Sequence, residues 1–363
     1  VLIGRDTRVT GNIIEKLITS ILNYNGINVV STGIIPTPGL SYSLDEKKYS
    51  LGIMITASHD PAQNNGIKLF NGDGLKLNKK FEKIIESDIK SQINNLVSRE
   101  NKSNGTYFYD PKLAEKYQDC LRNAFPNLKL NKSILVDCSY GSFYSIAKGS
   151  LKYFDSIEFI NDTPDGEKIN LNCGSLEPQN LLNNIRNNNF DYGIAFDGDG
   201  DRAIFVNSEY GIIEPEKLLI IFANNLSDQD SSNMLVSTEI CNKGLEINCE
   251  SLGYKLEQVK VGDRNVVNKV LKEQGLIGAE PSGHYFFPRN SNTMDGLLAV
   301  FHFIQALYIC EGKLSEELHK LIHFKRVKKD IILKDNSSKT LVNNLYKLIN
   351  PIIDDNAEKL VIR

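Results

Sequence analysis

Short apolar strands alternate with helix-spaced segments three times along this chain, and that rhythm restricts it to a layered α/β architecture. In the first round Ile13, Ile14, Leu17, Ile18, Ile21 and Leu22 fall at helical spacing between Asn12 and Leu22, with Thr10 set to cap the start and Gly26 to stop the end. Strand-like Ile27 to Val30 and Leu51 to Ile55 follow. The second round predicts strand Ile134 to Val136, helix Phe143 to Phe154, strand Ile157 to Ile160, helix Gln179 to Asn188 and strand Tyr192 to Phe196. A third opens at Met234 to Val236 and continues through helices at Gly244 to Leu252 and Asn265 to Gln274 into Leu276 to Gly278. The expected fold is three similar βαβ-type layered domains with mixed, mainly parallel sheets.

Polar joints near Asn127 to Asn131, Ser227 to Ser232 and Phe324 to Lys328 divide the chain into 1–129, 130–229, 230–325 and 326–363. The last piece carries a strand pattern, a helix near Lys339 to Ile349 and a final strand, the start of a fourth, α+β domain. The chain begins within a strand-like run at Val1 and stops in another at Arg363, so both ends are expected to be cut.

A net charge of −3 and the lack of a basic stripe argue against nucleic acid or an anionic membrane as partner. Six cysteines without a CxxC pair fit reduced thiols in the cytoplasm. The longest apolar stretch, Leu297 to Ile309, is broken by His302 and Gln305 and falls short of the roughly 20 residues that cross a bilayer, so it reads as a buried helix.

Each α/β unit ends a strand in a loop rich in chemistry. Asp197, Asp199 and Asp201 alternate with glycines in Asp197-Gly198-Asp199-Gly200-Asp201-Arg202. Carboxylates so spaced repel one another unless a cation sits between them, and oxygen-only ligands favour a hard ion such as Mg2+. An EF-hand would need glycine at Arg202 and glutamate at Ser208, and has neither. An aspartyl-phosphate phosphatase with Asp197 as nucleophile stays open.

The loop Thr56-Ala57-Ser58-His59-Asp60-Pro61 puts Ser58 at a strand end, without the GxSxG elbow of an acyl hydrolase. Lys68, beyond the Asn65-Gly66 turn, offers a cation for phosphate charge or proton transfer. In the third loop Glu280, Ser282 and His284 alternate, so they are expected to face one side and to suit a polyhydroxylated ligand. Lys260 and Arg264 flank Gly262 at the expected start of a helix, a candidate anion or sugar contact. A metal loop, a strand-end serine, cations and a polar triad together meet the needs of phosphoryl transfer to a sugar.

These loops resemble the α-D-phosphohexomutase superfamily, whose phosphoserine loop T-A-S-H-N-P, metal loop D-G-D-G-D-R and sugar loop G-E-x-S-G-H stand in the same order. The likeness runs along essentially the whole chain, including Gly4-Arg5-Asp6-Thr7-Arg8. It implies that Ser58 is phosphorylated and that Asp197, Asp199 and Asp201 hold one Mg2+ per chain together with the Ser58 phosphate. Lys68 would be the general acid or base, with His59 beside the phosphate. Glu280, Ser282 and His284 would bind sugar hydroxyls or an amino group, and Arg202, Lys260 and Arg264 would contact substrate or phosphoserine.

Within the superfamily, Ile169 to Ser175, Val261 to Arg264, Ile277 to Glu280 and Asn292 to Gly296 look most like the bacterial phosphoglucosamine mutase branch. Pro281 and Tyr285-Phe286-Phe287 also suit phosphomannomutase and phosphoglucomutase members. The implied activity converts glucosamine 6-phosphate to the 1-phosphate for cell-wall precursors. Its activator would be glucose or glucosamine 1,6-bisphosphate, its partner only the phosphosugar, and its state monomer or homodimer. Asp60 replaces the usual Asn and adds a negative charge near the phosphate. The family's early G-T-D-G-x-R and late R-x-S-G-T-E-P segments fall outside the chain, so an inactive sugar-phosphate binder is the alternative.

Overall fold

A computed structural model describes residues 1–45, 48–92, 103–125, 130–151, 156–227 and 232–326. The strand and helix patterns expected beyond residue 326 lie outside the described residues, as do parts of all three joints.

The chain opens with β1 (Leu2–Arg5), α1 (Val9–Tyr24), β2 (Val29–Ile34), α2 (Thr37–Asp45), β3 (Leu51–Ile55), β4 (Ile67–Asn71), α3 (Lys79–Gln92) and β5 (Tyr107–Tyr109). These strands form a sheet in the order β4-β3-β1-β2-β5, parallel except for β4. Next come α4 (Lys112–Ala124), β6 (Ile134–Asp137), α5 (Ile146–Leu151), β7 (Ile157–Ile160), α6 (Pro178–Asn187), β8 (Tyr192–Phe196), β9 (Ala203–Asn207), β10 (Gly211–Ile213) and α7 (Pro215–Ser227). Their sheet runs β10-β9-β8-β6-β7, with β6, β7 and β8 parallel. The third set is β11 (Met234–Thr238), α8 (Lys243–Leu252), β12 (Lys255–Val259), α9 (Asp263–Glu273), β13 (Ile277–Ala279), β14 (Tyr285–Phe286), α10 (Gly296–Ile309) and α11 (Leu314–Lys320). Here the order is β12-β11-β13-β14, antiparallel only at β13-β14.

One topology underlies all three sheets: a first parallel strand lies between the second and third, and a fourth folds back antiparallel on the third. The three chemistry-bearing loops are the β3-β4, β8-β9 and β13-β14 connections. Each leaves the carboxyl end of a parallel strand, where open α/β sheets bind ligands. Close helix packing sets these strands: a Cβ on Gly193 of β8 would lie 2.9 Å from Leu181 of α6 and 2.7 Å from Val206 of β9.

Some boundaries differ from expectation. The first helix starts at Val9, so Thr10 lies inside it, because Asp6 Oδ1 accepts the Arg8 N–H (3.0 Å) and turns the chain early. Pairing with β1 carries β2 past Val30 to Ile34. The helix expected from Phe143 starts at Ile146, since Ser142 is spent on the metal loop, donating its N–H to Gly198 O (2.9 Å).

Helix α7 packs on β13, α8 and α10. Helix α10, capped by Asp295 accepting from Leu298 N (2.9 Å), is buried nearly all round, as its composition predicts. Among the described residues no single helix is long and apolar enough to cross a membrane. All six cysteines are free.

Candidate active site

The Ser58 loop is held by a buried cation. Arg8 sends Nε to Asp6 Oδ2 (3.0 Å), Nη2 to the carbonyls of Ser58 (3.0 Å) and Asp60 (2.7 Å), and Nη1 to the carbonyls of Asn64 (2.9 Å) and Pro61. From the second unit, Asn170 Nδ2 donates to the same Ser58 and Asp60 carbonyls, at 2.9 and 3.2 Å. Thr56 closes the turn, accepting from Ser58 N (2.9 Å) and donating to Asp6 Oδ2 (2.7 Å). Under this grip Ser58 adopts a φ of +52°, a left-handed backbone that a serine disfavours. Its hydroxyl thereby reaches across to the second sheet and donates to Asp197 Oδ2 at 2.7 Å. His59 Nδ1 stands 3.5 Å from the same hydroxyl.

Asp197, Asp199 and Asp201 are all buried, with ligand oxygens within 4.8 Å of one another. Burial, then the charges of Asp201 and Asp199, push Asp197 up to about 7. Lys68, projecting from β4, places its ammonium 2.5 Å from Asp199 Oδ2 and 2.6 Å from Asp201 Oδ2. Burial works against that ammonium, but the two carboxylates outweigh it and hold its pKa above the ordinary lysine value. Asp199 Oδ2 also accepts from Thr37 Oγ1, while its Oδ1 is buried without a hydrogen-bond partner. An orphaned carboxylate oxygen beside an Asp pushed toward neutrality marks a cluster short of positive charge. Its oxygen-only donors fit a hard divalent cation such as Mg2+.

Glu280, Ser282 and His284 converge, but by a tight turn rather than by strand alternation. Gly283 N donates to Glu280 O (3.0 Å) and Glu280 N to His284 O (3.0 Å), with Gly283 at φ +90°. His284 Nδ1 lies 2.7 Å from Glu280 Oε2 and 3.1 Å from Ser282 Oγ, and its Nε2 lies 3.0 Å from Asp201 Oδ1. Burial depresses the imidazole, yet Asp201 and the hydrogen bonds to Asp201 and Glu280 carry it up to about 9, a cation spanning metal loop and sugar loop. Arg202 Nε is 3.2 Å from His284 Nε2 and 3.8 Å from Asp197 Oδ2.

One junction therefore holds Ser58, His59, Lys68, Asp197, Asp199, Asp201, Arg202, Glu280 and His284, with Ser282 exposed at its rim. Arg264 is placed otherwise: its guanidinium is clasped by Glu82 of α3, with Nη1 3.0 Å from Oε2, because the start of α9 abuts α3. Beside it Lys76 pairs with Asp263. Lys260 is exposed, and its loop meets the site through Gly262 N, which donates to Glu280 Oε1 (3.0 Å). Arg8 and Asn170 carry positioning work that neither spacing nor periodicity reveals. Asn170 lies in a segment that stood out only by family likeness, and Arg8 in a short charged run.

Two family models match, Phosphoglucomutase/phosphomannomutase, alpha/beta/alpha domain I over residues 1–95 and domain III over residues 214–324. The chain is 33% identical over 347 residues to a phosphoglucosamine mutase of Alkaliphilus oremlandii, covering 95% of this chain and 77% of that protein. It is 35% identical over 320 residues to one from Clostridium botulinum (strain Alaska E43), covering 87% and 71%. A phosphoglucomutase/phosphomannomutase family protein from Burkholderia thailandensis shares the fold, with a TM-score of 0.77, 22% identity and coverage of 89% and 71%. So does an Aspergillus fumigatus N-acetylphosphoglucosamine mutase solved with GlcNAc-6P and magnesium, with a TM-score of 0.57, 14% identity and coverage of 86% and 85%.

Proposed function

The chain belongs to the α-D-phosphohexomutase superfamily, and from that premise we propose that it is a phosphoglucosamine mutase, interconverting glucosamine 6-phosphate and glucosamine 1-phosphate. The observation that carries the reading is the meeting of Ser58 Oγ with Asp197 Oδ2 at 2.7 Å, across two sheets and beside the Glu280-His284 pair of a third. The product would feed synthesis of UDP-N-acetylglucosamine and cell-wall precursors in the cytoplasm.

In this reading the sugar O1 hydroxyl attacks the phosphorus of phosphorylated Ser58. The bond from phosphorus to Ser58 Oγ breaks, and that oxygen leaves with the electron pair and takes up a proton. The resulting 1,6-bisphosphate turns over in the cleft. Ser58 Oγ then attacks the 6-phosphoryl group, and O6 leaves protonated. Phosphate is neither consumed nor released, and a sugar 1,6-bisphosphate would recharge a serine that has lost its phosphate.

Asp197, Asp199 and Asp201 would hold Mg2+, which when bound supplies positive charge to the phosphoryl oxygens. Lys68 is an ammonium here, so it stabilises charge and donates a proton rather than taking one. Burial, aided by the charge of Arg202, lowers the His59 pKa and keeps the imidazole neutral and able to accept a proton 3.5 Å from Ser58 Oγ. Glu280 would face the substrate amino group, with His284 and Ser282 on neighbouring hydroxyls.

Phosphatase chemistry through Asp197 fits less well, because Oδ1 already accepts from Gly200 N (3.1 Å) and Arg202 N (3.2 Å) while Oδ2 is met by Ser58. Asp60, half-exposed, turns its carboxylate toward Asn64 Nδ2 (3.2 Å) and His59, and so does not itself argue for a dead site.

The reading is tested by incubating the protein with glucose 1,6-bisphosphate and measuring turnover of glucosamine, glucose and mannose phosphates. A phosphoenzyme stable to acid and hydroxylamine, with glucosamine phosphate preferred, is expected. A hydroxylamine-labile phosphoenzyme would favour Asp197 as nucleophile, mannose phosphate winning by a wide margin would replace the substrate, and no turnover of any hexose phosphate would favour the inactive binder.

A further inference from the structure

The hairpin that carries Lys68 carries a second lysine toward the third unit. Beyond β4 the chain turns at Asn71, whose Oδ1 accepts from Asp73 N (3.1 Å) and Leu75 N (2.9 Å), and it returns with Lys76 opposite Phe70. Lys68 lies two residues before Phe70, so both lysines stand on one face of the hairpin. Lys68 takes the metal-loop carboxylates of the second unit, and Lys76 pairs with Asp263 at the start of α9 in the third. With 13% and 21% of the two side chains exposed, little water screens that pair. Asn292 Nδ2, donating to Asp73 O (2.9 Å), and the clasp of Arg264 by Glu82 tie the same two units.

The Asp263 carboxylate is engaged within the protein: Oδ1 accepts from Arg264 N (2.7 Å) and Oδ2 from Lys76. Burial opposes its charge, but the Lys76 ammonium and then the His284 cation hold its carboxyl below the ordinary range. The residue before it, Gly262, has a φ of +127°, open to glycine, and gives its N–H to Glu280 Oε1 at 3.0 Å. Glu280 Oε2 lies 2.7 Å from His284 Nδ1, so Gly262 and His284 together aim the Glu280 carboxylate, and each of its oxygens keeps an acceptor position for a ligand. Lys68, Lys76, Gly262 and Asp263 line one cleft of about 270 Å3.

We propose that Lys76 and Asp263 are positioning residues for sugar recognition: their ion pair carries the placement of the Lys68 hairpin into the Gly262 turn, which fixes the Glu280 carboxylate for the substrate amino group. Neither residue touches the sugar. The chain of contacts is short, from Lys76 to Asp263, across one peptide to Gly262, and from Gly262 N to Glu280. It sets the proton-donating ammonium of Lys68 and the sugar clamp from one hairpin, so that the two keep their separation. A charge freed from its partner at this depth is drawn toward water, and the turn that carries the Gly262 N–H moves with it. The inference rests on the amino-sugar reading above for the identity of the group that Glu280 meets.

A double-mutant cycle read by isothermal titration calorimetry tests it, with glucosamine 6-phosphate and glucose 6-phosphate titrated into the full chain in Mg2+. Lys76→Met is expected to raise the dissociation constant of glucosamine 6-phosphate about tenfold and that of glucose 6-phosphate less than about threefold. Added to Glu280→Gln, it should weaken binding by no more than about twofold further, because its effect passes through Glu280. Asp263→Asn should repeat this pattern, Lys76→Arg should keep binding within about threefold of wild type, and Lys272→Met, 80% exposed on the same helix, should bind as wild type does. The rise in melting temperature caused by Mg2+ should be the same in Lys76→Met as in wild type, which a general loosening of the fold would not leave intact. Additive effects of Lys76→Met and Glu280→Gln, an unchanged dissociation constant in Lys76→Met, or equal losses for both sugars would each overturn the proposal. A wild type that prefers glucose or mannose phosphate overturns the amino-sugar reading alone, and additivity measured with that sugar then decides whether Lys76 acts through Glu280. A chain that binds no hexose phosphate overturns both.

Discussion

At the scale of single residues, Ser58 reaches the acidic cluster only because its backbone is held left-handed, at a cost of about 1–2 kcal/mol that the carbonyl clamps of Arg8 and Asn170 offset. Asn170→Ala is expected to lower kcat about tenfold while KM moves less than about twofold, because it loosens the serine without touching the sugar. Steady-state kinetics with a normal thermal melt checks this, and an unchanged kcat would remove Asn170 from the clamp. His302 illustrates a buried titratable group with a different consequence. It stacks on Phe287 at 4.0 Å, neither ring nitrogen finds a hydrogen bond, and burial drives its pKa down to about 3. A depressed basic group contributes stability that is fully present above the unfolded value near 6.5 and is lost as pH falls, by about 1.4 kcal/mol per pH unit. His302→Phe should therefore flatten the pH dependence of denaturant unfolding between pH 7 and 5 by about one proton relative to wild type; parallel curves would count against it. His302 was legible only as an interruption in an apolar run, because a sequence shows that a residue is polar but not whether a partner waits for it.

At the scale of elements, the β13-β14 turn shows how a correct grouping can arise from a different geometry. Glu280, Ser282 and His284 meet, yet through the left-handed Gly283, where an added Cβ would lie 2.5 Å from Ile204 Cδ1 and 2.8 Å from Ala203 O on the metal loop's strand. Gly283→Ala is expected to cost about 1–3 kcal/mol of stability and to raise KM for the sugar about tenfold, by prising the sugar loop from the metal loop. Differential scanning calorimetry and a KM-against-kcat comparison measure the two effects. Helix α10 makes a second case. Asp295 caps it and also accepts both contacts of the buried Tyr117 hydroxyl (2.9 Å). Asp295→Ala should cost about 2 kcal/mol, read as a lower unfolding midpoint, since it removes a cap and orphans a phenol at once. The buried character of α10 was plain from its composition, but the start of α1 was not. Thr10 is an ordinary capping residue in the sequence, and only the Asp6-Arg8 contact shows that the helix begins before it.

At the scale of the whole molecule, three sheets of one topology bring three hairpins to a single junction, and charge balance across that junction governs its behaviour with metal. Asp197→Asn is expected to change the melting temperature of metal-free protein little, since Asp197 is already held near neutrality, and to abolish the stabilisation by Mg2+. That stabilisation should reach about 2.7 kcal/mol for wild type when free metal is a hundredfold above its dissociation constant, and a chelator should reverse it. A variant that still gains stability from Mg2+ would remove Asp197 from the ligand set. The alternation of strands and helices, the carboxylate set of the metal loop and the strand-end position of Ser58 were determined by the sequence alone, because hydrophobic periodicity and local residue chemistry act over a few neighbouring positions. Tertiary structure alone decided that Ser58 meets Asp197 from 139 residues away, that Arg264 is claimed by Glu82, and that α1 turns half of its apolar arc outward. Periodicity reveals how wide an apolar face is, whereas which part of it is covered, and which loops touch, depends on how whole sheets pack against one another.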